Sequence, residues 1–258
     1  MGDGASKMWR LGGTALAALP LALGAACAES GRQGSSGQPI PPASLVDGAP
    51  NAGTGAGAGS DATVGVRYLA LGDSFTIGTG ASEAAAFPAR LADRWRAKGC
   101  SLTLENVAVN GYTTEDLIDL ELPAIASFHP TFVTVAVGAN DIVRGHSLET
   151  YRTNVRRILD ATKASGARIV VLPQPDWSRS PSAASFGTRE SLAESIARFN
   201  AALAEEARAK GVEWVDLVPL MQQQAAKNQV APDGLHPSAE AYDAWAAELA
   251  RVLTSPCS

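Results

Sequence analysis

Four short segments of the sequence carry residue types that suit nucleophilic acyl transfer. The first is Gly72-Asp73-Ser74, which follows an apolar run from Val66 to Leu71 that predicts a buried strand. A serine just past the carboxyl end of a strand in an open parallel sheet lies where such sheets bind ligands. Gly, Asp and Ser are also ordinary turn residues. This segment alone therefore leaves a nucleophile and a plain turn equally open.

The segment Asp233-Gly234-Leu235-His236 offers a base together with a carboxylate to orient it. A serine hydroxyl is a weak nucleophile until an imidazole takes its proton, and the imidazole needs a carboxylate to fix its tautomer. Because the two side chains share one predicted loop, the carboxylate can reach the ring nitrogen that faces away from Ser74. We predict a triad of Ser74, His236 and Asp233.

Gly111 and Asn140 follow the second and third predicted strands, at the same edge of the sheet as Ser74. A tetrahedral intermediate needs hydrogen-bond donors aimed at its oxyanion. The backbone N–H groups of Ser74 and Gly111 and the side-chain amide of Asn140 are the predicted donors.

Strand and helix patterns alternate through the predicted folded domain, residues 64–258. Buried strands are predicted over residues 66–71, 102–109, 131–137, 168–172 and 212–217, with amphipathic helices between them and after the last. This alternation predicts an α/β protein with a five-stranded, doubly wound parallel sheet and right-handed crossovers. A Pro- and Ser-rich loop with Trp177 and Phe186 interrupts the pattern at the ligand edge, where long loops are usually functional.

The four segments together resemble the signature blocks of the SGNH/GDSL hydrolases, in the same order. The matching residues are Gly72-Asp73-Ser74, Gly111, Gly138-Ala139-Asn140-Asp141 and Asp233-x-x-His236. The resemblance covers about residues 68–253 and implies a three-layer α/β/α fold. It implies that Ser74 is the nucleophile, that Gly111 and Asn140 help to form the oxyanion hole, and that Asp233 and His236 complete the triad.

These patterns predict a serine esterase that hydrolyses carboxylic esters through an acyl-enzyme. The substrate is expected to be a small-molecule, lipid or saccharide ester. Candidate acyl-pocket residues are Phe75, Ile77, Trp177 and Leu235. An O-acyltransferase or carbohydrate deacetylase of the cell envelope with the same triad remains an alternative. A non-catalytic envelope-binding module is disfavoured because all four blocks are complete.

Three further residues near these segments have simpler interpretations. His129 precedes the third strand, so it is predicted to be structural and to lie at the opposite end of the sheet. His146 lies in the loop after Asn140 and is predicted to be solvent-exposed, with a substrate contact as the alternative. Ser147 is predicted to be a helix N-cap.

Composition excludes several other classes of function. The formal net charge is −5, and no run of Lys or Arg is present, which argues against a nucleic-acid partner. Three scattered histidines and three isolated cysteines lack metal-ligand spacing, so neither a metal nor a cofactor is predicted. We expect a monomer.

The N-terminal region has the pattern of an exported protein. Lys7 and Arg10 precede an apolar, small-residue run that is too short for a spanning helix, so residues 1–26 are predicted to be a signal peptide. Small residues before Cys27 resemble a bacterial lipobox, although an ordinary secretory cleavage also fits. Residues 27–63 are rich in Gly, Ser, Pro and Ala and are predicted to be a disordered linker. We therefore expect an exported protein that is either anchored by a lipid at Cys27 or plainly secreted. The lipid anchor is the only membrane contact that we expect.

The two remaining cysteines, Cys100 and Cys257, are predicted to form a disulfide in an oxidising compartment. They follow the first and the last predicted helices of the domain. The resemblance implies the strand order 2-1-3-4-5, and in a sheet of that order right-handed crossovers place those two helices side by side on one face.

Overall fold

The computed structural model describes residues 65–257. The predicted signal peptide over 1–26, lipidation at Cys27 and the linker over 27–63 lie outside the described residues. Across 65–257, no helix has both the length and the apolar composition needed to cross a bilayer.

Five parallel strands form one sheet in the order β2-β1-β3-β4-β5, which confirms the predicted fold class and topology. The strands are β1 Val66–Gly72, β2 Leu102–Asn106, β3 Phe132–Ala136, β4 Arg168–Val171 and β5 Glu213–Trp214. β1 and β3 end level with each other, because Gly72 pairs with Ala136. The segments that follow these two strands therefore start at one edge of the sheet.

Helices cover both faces of the sheet. The α-helices are α1 Ser74–Ile77, α2 Phe87–Arg96, α3 Thr114–Asp116, α4 Pro123–Phe128, α5 Ala139–Val143, α6 Leu148–Ala164, α7 Arg189–Ala209, α8 Val218–Ala226 and α9 Ala239–Val252. Short 3₁₀ turns span Glu83–Ala85, Trp177–Arg179 and Pro181–Ser185, and a π-helical turn spans Leu117–Glu121.

The side chains of β1 alternate between two apolar cores, as the two-residue period of a strand requires. Tyr68 and Ala70 join the core that contains residues of α2 and α9. Leu69 and Leu71 join the core that contains residues of α6 and α7. The sheet is thus the middle layer of an α/β/α sandwich.

Some elements differ from their sequence predictions. β2 stops at Asn106 because its side-chain oxygen accepts the Ala108 N–H, a turn that ends the strand. β5 has only two residues, because the chain turns after it: the Asp216 carboxylate accepts the N–H of Val218, the first residue of the unpredicted α8. The helical segment between β2 and β3 contains a π-helical turn, Leu117–Glu121, which the sequence pattern does not predict, and it continues as α4.

α2 and α9 lie side by side on one face. Arg94 in α2 binds Asp243 in α9 with two hydrogen bonds of 3.0 and 2.9 Å. The segments after these helices bring Cys100 and Cys257 together in a disulfide, with Cα atoms 5.5 Å apart.

Candidate active site

A tight turn holds Ser74 at the carboxyl end of β1. Gly72 has a φ of +157°, and a Cβ there would lie 2.3 Å from the carbonyl oxygen of Ala136, so a side chain does not fit. Asp73 is fully buried and caps α1 by accepting the Phe75 N–H at 3.1 Å. The turn thereby makes Ser74 the first residue of α1 and directs it to the ligand edge of the sheet.

Asp233 orients His236 from within the same turn. Its Oδ2 lies 2.8 Å from His236 Nδ1, and its Oδ1 accepts the backbone N–H groups of Leu235 and His236 at 2.9 and 3.0 Å. Burial raises the pKa of Asp233, but the hydrogen bonds from Leu235 and His236 outweigh burial and hold this pKa below its usual range. An ionised Asp233 favours a proton on Nδ1, which leaves Nε2 of the neutral ring free to accept one.

The Pro- and Ser-rich loop between β4 and α7 supports this turn, which the sequence patterns did not predict. Ser182 donates from Oγ to the Asp233 carbonyl at 2.8 Å, and its N–H donates to the Gly234 carbonyl at 2.9 Å. Ser180 Oγ donates to the Leu235 carbonyl at 3.1 Å. Serine is common throughout this loop, so the sequence alone does not show that Ser180 and Ser182 support the Asp233 turn.

The turns after β2 and β3 are tied together beside Ser74. Asn140 Nδ2 donates to the Tyr112 carbonyl at 2.9 Å, and Arg144 donates to the Gly111 carbonyl at 2.9 Å. Gly111 has a φ of +86°, in the left-handed region that favours glycine. The backbone N–H groups of Ser74 and Gly111 donate no hydrogen bond to any residue in 65–257, so both are available as donors.

His146 is drawn inward by a buried carboxylate, so the prediction of a solvent-exposed loop histidine is wrong. Its Nδ1 lies 3.1 Å from Asp141 Oδ1, and its side chain is 22% exposed. Asp141 also accepts the N–H and hydroxyl of Thr114, which links α5 to α3.

The carbonyl of His129 accepts a hydrogen bond from Arg67 at the opposite end of β1, where His129 was predicted to lie. Ser147 caps α6, also as predicted.

One cavity brings Ser74, His236 and Asn140 together. The other residues that line it are Phe75, Asn110, Ala139, Val143, Trp177, Phe186 and Leu235. Ile77, predicted for the acyl pocket, is not among them, because α1 ends there and the chain turns at Gly78, whose φ is +87°. Gly111 does not line this cavity either, although its neighbour Asn110 does. No hydrogen bond joins the Ser74 hydroxyl to His236 within 65–257, but such bonds often tighten only when substrate binds.

A second pocket lies beside this cavity. Phe75, Trp177 and Leu235 line both spaces and so form the wall between them. Beyond the wall, the second pocket is lined by residues that include Met221 and Trp245. Apolar side chains therefore continue from the reaction cavity toward α8 and α9.

Comparison with known proteins assigns the chain to a family. The model of the GDSL-like lipase/acylhydrolase family matches residues 70–244. The chain belongs to this family. This GDSL protein is 31% identical over 188 residues to thioesterase 1/protease 1/lysophospholipase L1 of Escherichia coli (strain K12), covering 72% of this chain and 82% of that protein. It is 27% identical over 188 residues to an arylesterase of Vibrio mimicus, covering 70% and 84%.

Solved structures share the fold of this GDSL protein. The crystal structure of TesA superposes with a TM-score of 0.59 at 22% identity, covering 71% of this chain and 95% of that one. The psychrotrophic esterase EstA from Pseudoalteromonas sp. gives 0.58 at 19% identity, covering 71% and 93%. The family and its curated relatives make this protein a serine ester hydrolase that acts on small-molecule esters.

Proposed function

We propose that this GDSL hydrolase cleaves carboxylic esters through an acyl-enzyme on Ser74. His236 acts as general base and acid, and Asp233 holds its tautomer. The observation that carries the proposal is the 2.8 Å contact between Asp233 Oδ2 and His236 Nδ1, in a turn whose imidazole lines the same cavity as Ser74.

The proposed reaction has two stages. Ser74 Oγ bonds to the ester carbonyl carbon while His236 Nε2 takes the hydroxyl proton, and that proton then passes to the leaving alcohol as its C–O bond breaks. In the second stage His236 takes a proton from water, the hydroxide bonds to the acyl carbon, and Ser74 leaves with the proton returned. The Ser74 and Gly111 N–H groups and the Asn140 amide stabilise the oxyanion in both stages.

The acyl or aryl group of the substrate is proposed to be apolar. Val143 and Phe186 are 43% and 44% exposed, and both line the reaction cavity. Single exposed apolar residues are common, but two at one cavity mouth suit an apolar ligand. The relatives' names, a thioesterase and lysophospholipase in one case and an arylesterase in the other, agree with this choice.

Export to the cell envelope with a lipid anchor at Cys27 is also proposed. The basic residues Lys7 and Arg10, the apolar run after them and the Gly-, Ser-, Pro- and Ala-rich composition after Cys27 support it. The disulfide between Cys100 and Cys257 suits an oxidising compartment. Mass spectrometry of the native N-terminus tests this proposal: a chain that begins at a lipidated Cys27 is expected, and an unmodified chain beginning at Glu29 contradicts it.

Replacement of the triad residues tests the catalytic assignment. Ser74→Ala and His236→Ala should each lower kcat by about 10⁴-fold or more, and the double variant should be scarcely worse because triad residues act as a unit. A fluorophosphonate should label the native protein and spare Ser74→Ala. Labelling that persists in the folded Ser74→Ala variant rules out Ser74 as the nucleophile.

A further inference from the structure

A carboxyl group is buried behind the turn that carries Ser74. Glu121 is 1% exposed, and its Oε2 accepts the Gly72 N–H at 2.8 Å. Its other oxygen, Oε1, is buried without a hydrogen-bond partner in the described chain. Its neighbour Leu120, by contrast, is 59% exposed. An apolar side chain in water beside a buried acid reverses the usual arrangement, which indicates a specific use for the acid.

The π-helical turn Leu117–Glu121 accounts for this reversal. Its closing bond runs from the Leu122 N–H to the Leu117 carbonyl at 3.0 Å, one residue more than an α-helical turn contains. The extra residue shifts the following side chain out of α-helical register, and such turns are frequent at functional sites.

The sheet leaves the Gly72 N–H without a strand partner, and Glu121 takes that place. The Ala70 carbonyl faces β2, because it accepts the Val107 N–H at 3.2 Å. Gly72, two residues further along β1, faces the same side. β2 has already ended at Asn106, so no strand reaches the Gly72 N–H. The carboxyl of Glu121 therefore fixes the last peptide before the Asp73-Ser74 turn.

We propose that Glu121 is a positioning residue for Ser74: its uncharged carboxyl holds the Gly72 N–H and the nucleophile turn, and its ionisation impairs the site. This inference rests on the assignment of Ser74 as nucleophile. No contact between Glu121 and substrate is involved.

The groups that face Glu121 disfavour its charged form. They are the carboxyl groups of Asp73, after β1, and Asp116, in α3. Of the other helices packed nearby, α4 carries no titratable side chain, and the hydroxyl of Tyr151 in α6 interacts with Asp73 rather than with Glu121. Burial, followed by the repulsion of Asp73 and Asp116, raises the pKa of Glu121 to about 9 despite the Gly72 hydrogen bond. Burial likewise raises the pKa of Asp73 to about 7. An anion at Glu121 would add negative charge behind Ser74, near the substrate carbonyl oxygen that becomes the oxyanion, and so oppose the transition state.

The free energy of unfolding should also depend on the protonation of Glu121. The folded pKa of Glu121, about 9, lies above the unfolded value of about 4.3. Between these values the folded state holds a proton that the unfolded state has lost. The stabilisation is therefore complete below about pH 4 and declines as the pH rises toward 9. Glu121→Gln should flatten this decline, as measured by urea unfolding at several pH values.

Kinetics of three variants test the proposal. Glu121→Gln keeps an oxygen acceptor for Gly72 but cannot ionise, Glu121→Leu removes the acceptor, and Asp119→Asn removes an exposed acid of the same turn. Hydrolysis of a short-chain alkyl ester is followed by titration of the released acid from pH 6 to 10. Fluorophosphonate labelling rates are measured at the same pH values.

We expect kcat of the wild type and of Asp119→Asn to fall about tenfold per pH unit on the alkaline side, and Glu121→Gln to shift that fall upward by about one pH unit or more. Glu121→Leu should lower kcat at every pH with little change in KM, and glutamine should restore most of the loss. An alkaline limb in Glu121→Gln identical to that of the wild type overturns the proposal, even if Glu121→Leu fails to fold. Activity retained by Ser74→Ala would instead overturn the catalytic assignment on which it rests.

Discussion

The hydroxyl of Ser182 donates a hydrogen bond to the carbonyl oxygen of Asp233, 2.8 Å away. This bond joins the loop between β4 and α7 to the turn that presents His236. The side chain of Asp233 also binds the imidazole of His236. The Ser182 hydrogen bond to the Asp233 backbone therefore helps to fix the position of the base. The loop thus supports the proposed triad as well as lining the cavity.

The first prediction concerns this support. Ser180→Ala combined with Ser182→Ala removes two hydrogen bonds, each worth about 0.5–1.5 kcal/mol, from the backbone of the His236 turn. We expect kcat to fall by about threefold to tenfold because the imidazole is less well placed. Ser185→Ala, an exposed position in the same loop, is the matched control. Equal kinetics for the double variant and the control would show that the turn holds itself.

The second prediction concerns the oxyanion. Asn140→Ala should lower kcat by about 10²–10³-fold, the usual cost of losing one oxyanion donor, with little change in KM. Asn110→Ala is the control, because Asn110 lines the same cavity without a proposed part in catalysis. Steady-state kinetics on one ester decide the matter. A rise in KM with kcat unchanged in Asn140→Ala would indicate that Asn140 binds substrate rather than stabilises the oxyanion.

The third prediction concerns substrate size. Leu235→Ala shortens a residue of the wall between the reaction cavity and the pocket that reaches Met221 and Trp245. The preferred acyl chain in a series of graded esters should become longer by several carbons, since each buried methylene adds about 0.8 kcal/mol of binding. Trp177→Leu offers a second opening in the same wall. Phe186→Ala, at the mouth of the cavity and outside the second pocket, should leave the preferred length unchanged; a similar shift there would argue against the wall.

The fourth prediction concerns the disulfide. Cys100 and Cys257 are separated by 157 residues, so the bond closes nearly the whole domain into a loop. Chain-entropy estimates for such a loop give about 4 to 5 kcal/mol as an upper value. Replacing both cysteines by serine should lower the urea midpoint with activity retained in the folded protein. Alkylation of the native protein without reductant checks the bond itself, and full labelling of both thiols would refute it.

The sequence was sufficient to predict the sheet, its strand order and the edge at which the four signature segments meet. The apolar runs define the strands, and their alternation with helices defines the parallel sheet and its crossovers. The order 2-1-3-4-5 is what the resemblance to the SGNH/GDSL hydrolases implies. The spacing of Asp233 and His236 likewise made their contact a short-range matter. Predictions of this kind depend on neighbours in the chain.

Only the tertiary structure revealed the contacts made between distant segments. Glu121 and Gly72 are 49 residues apart, and Ser182 and Asp233 are 51 residues apart, so no periodicity links them. The inward turn of His146 likewise depends on the burial of Asp141 against Thr114 of another helix. A buried acid such as Glu121 also contradicts the hydropathy pattern, because its position is fixed by a one-residue π-helical shift and by an N–H that the short strand β2 leaves unpaired. Local sequence determines which elements form, whereas packing decides which polar groups meet behind the site.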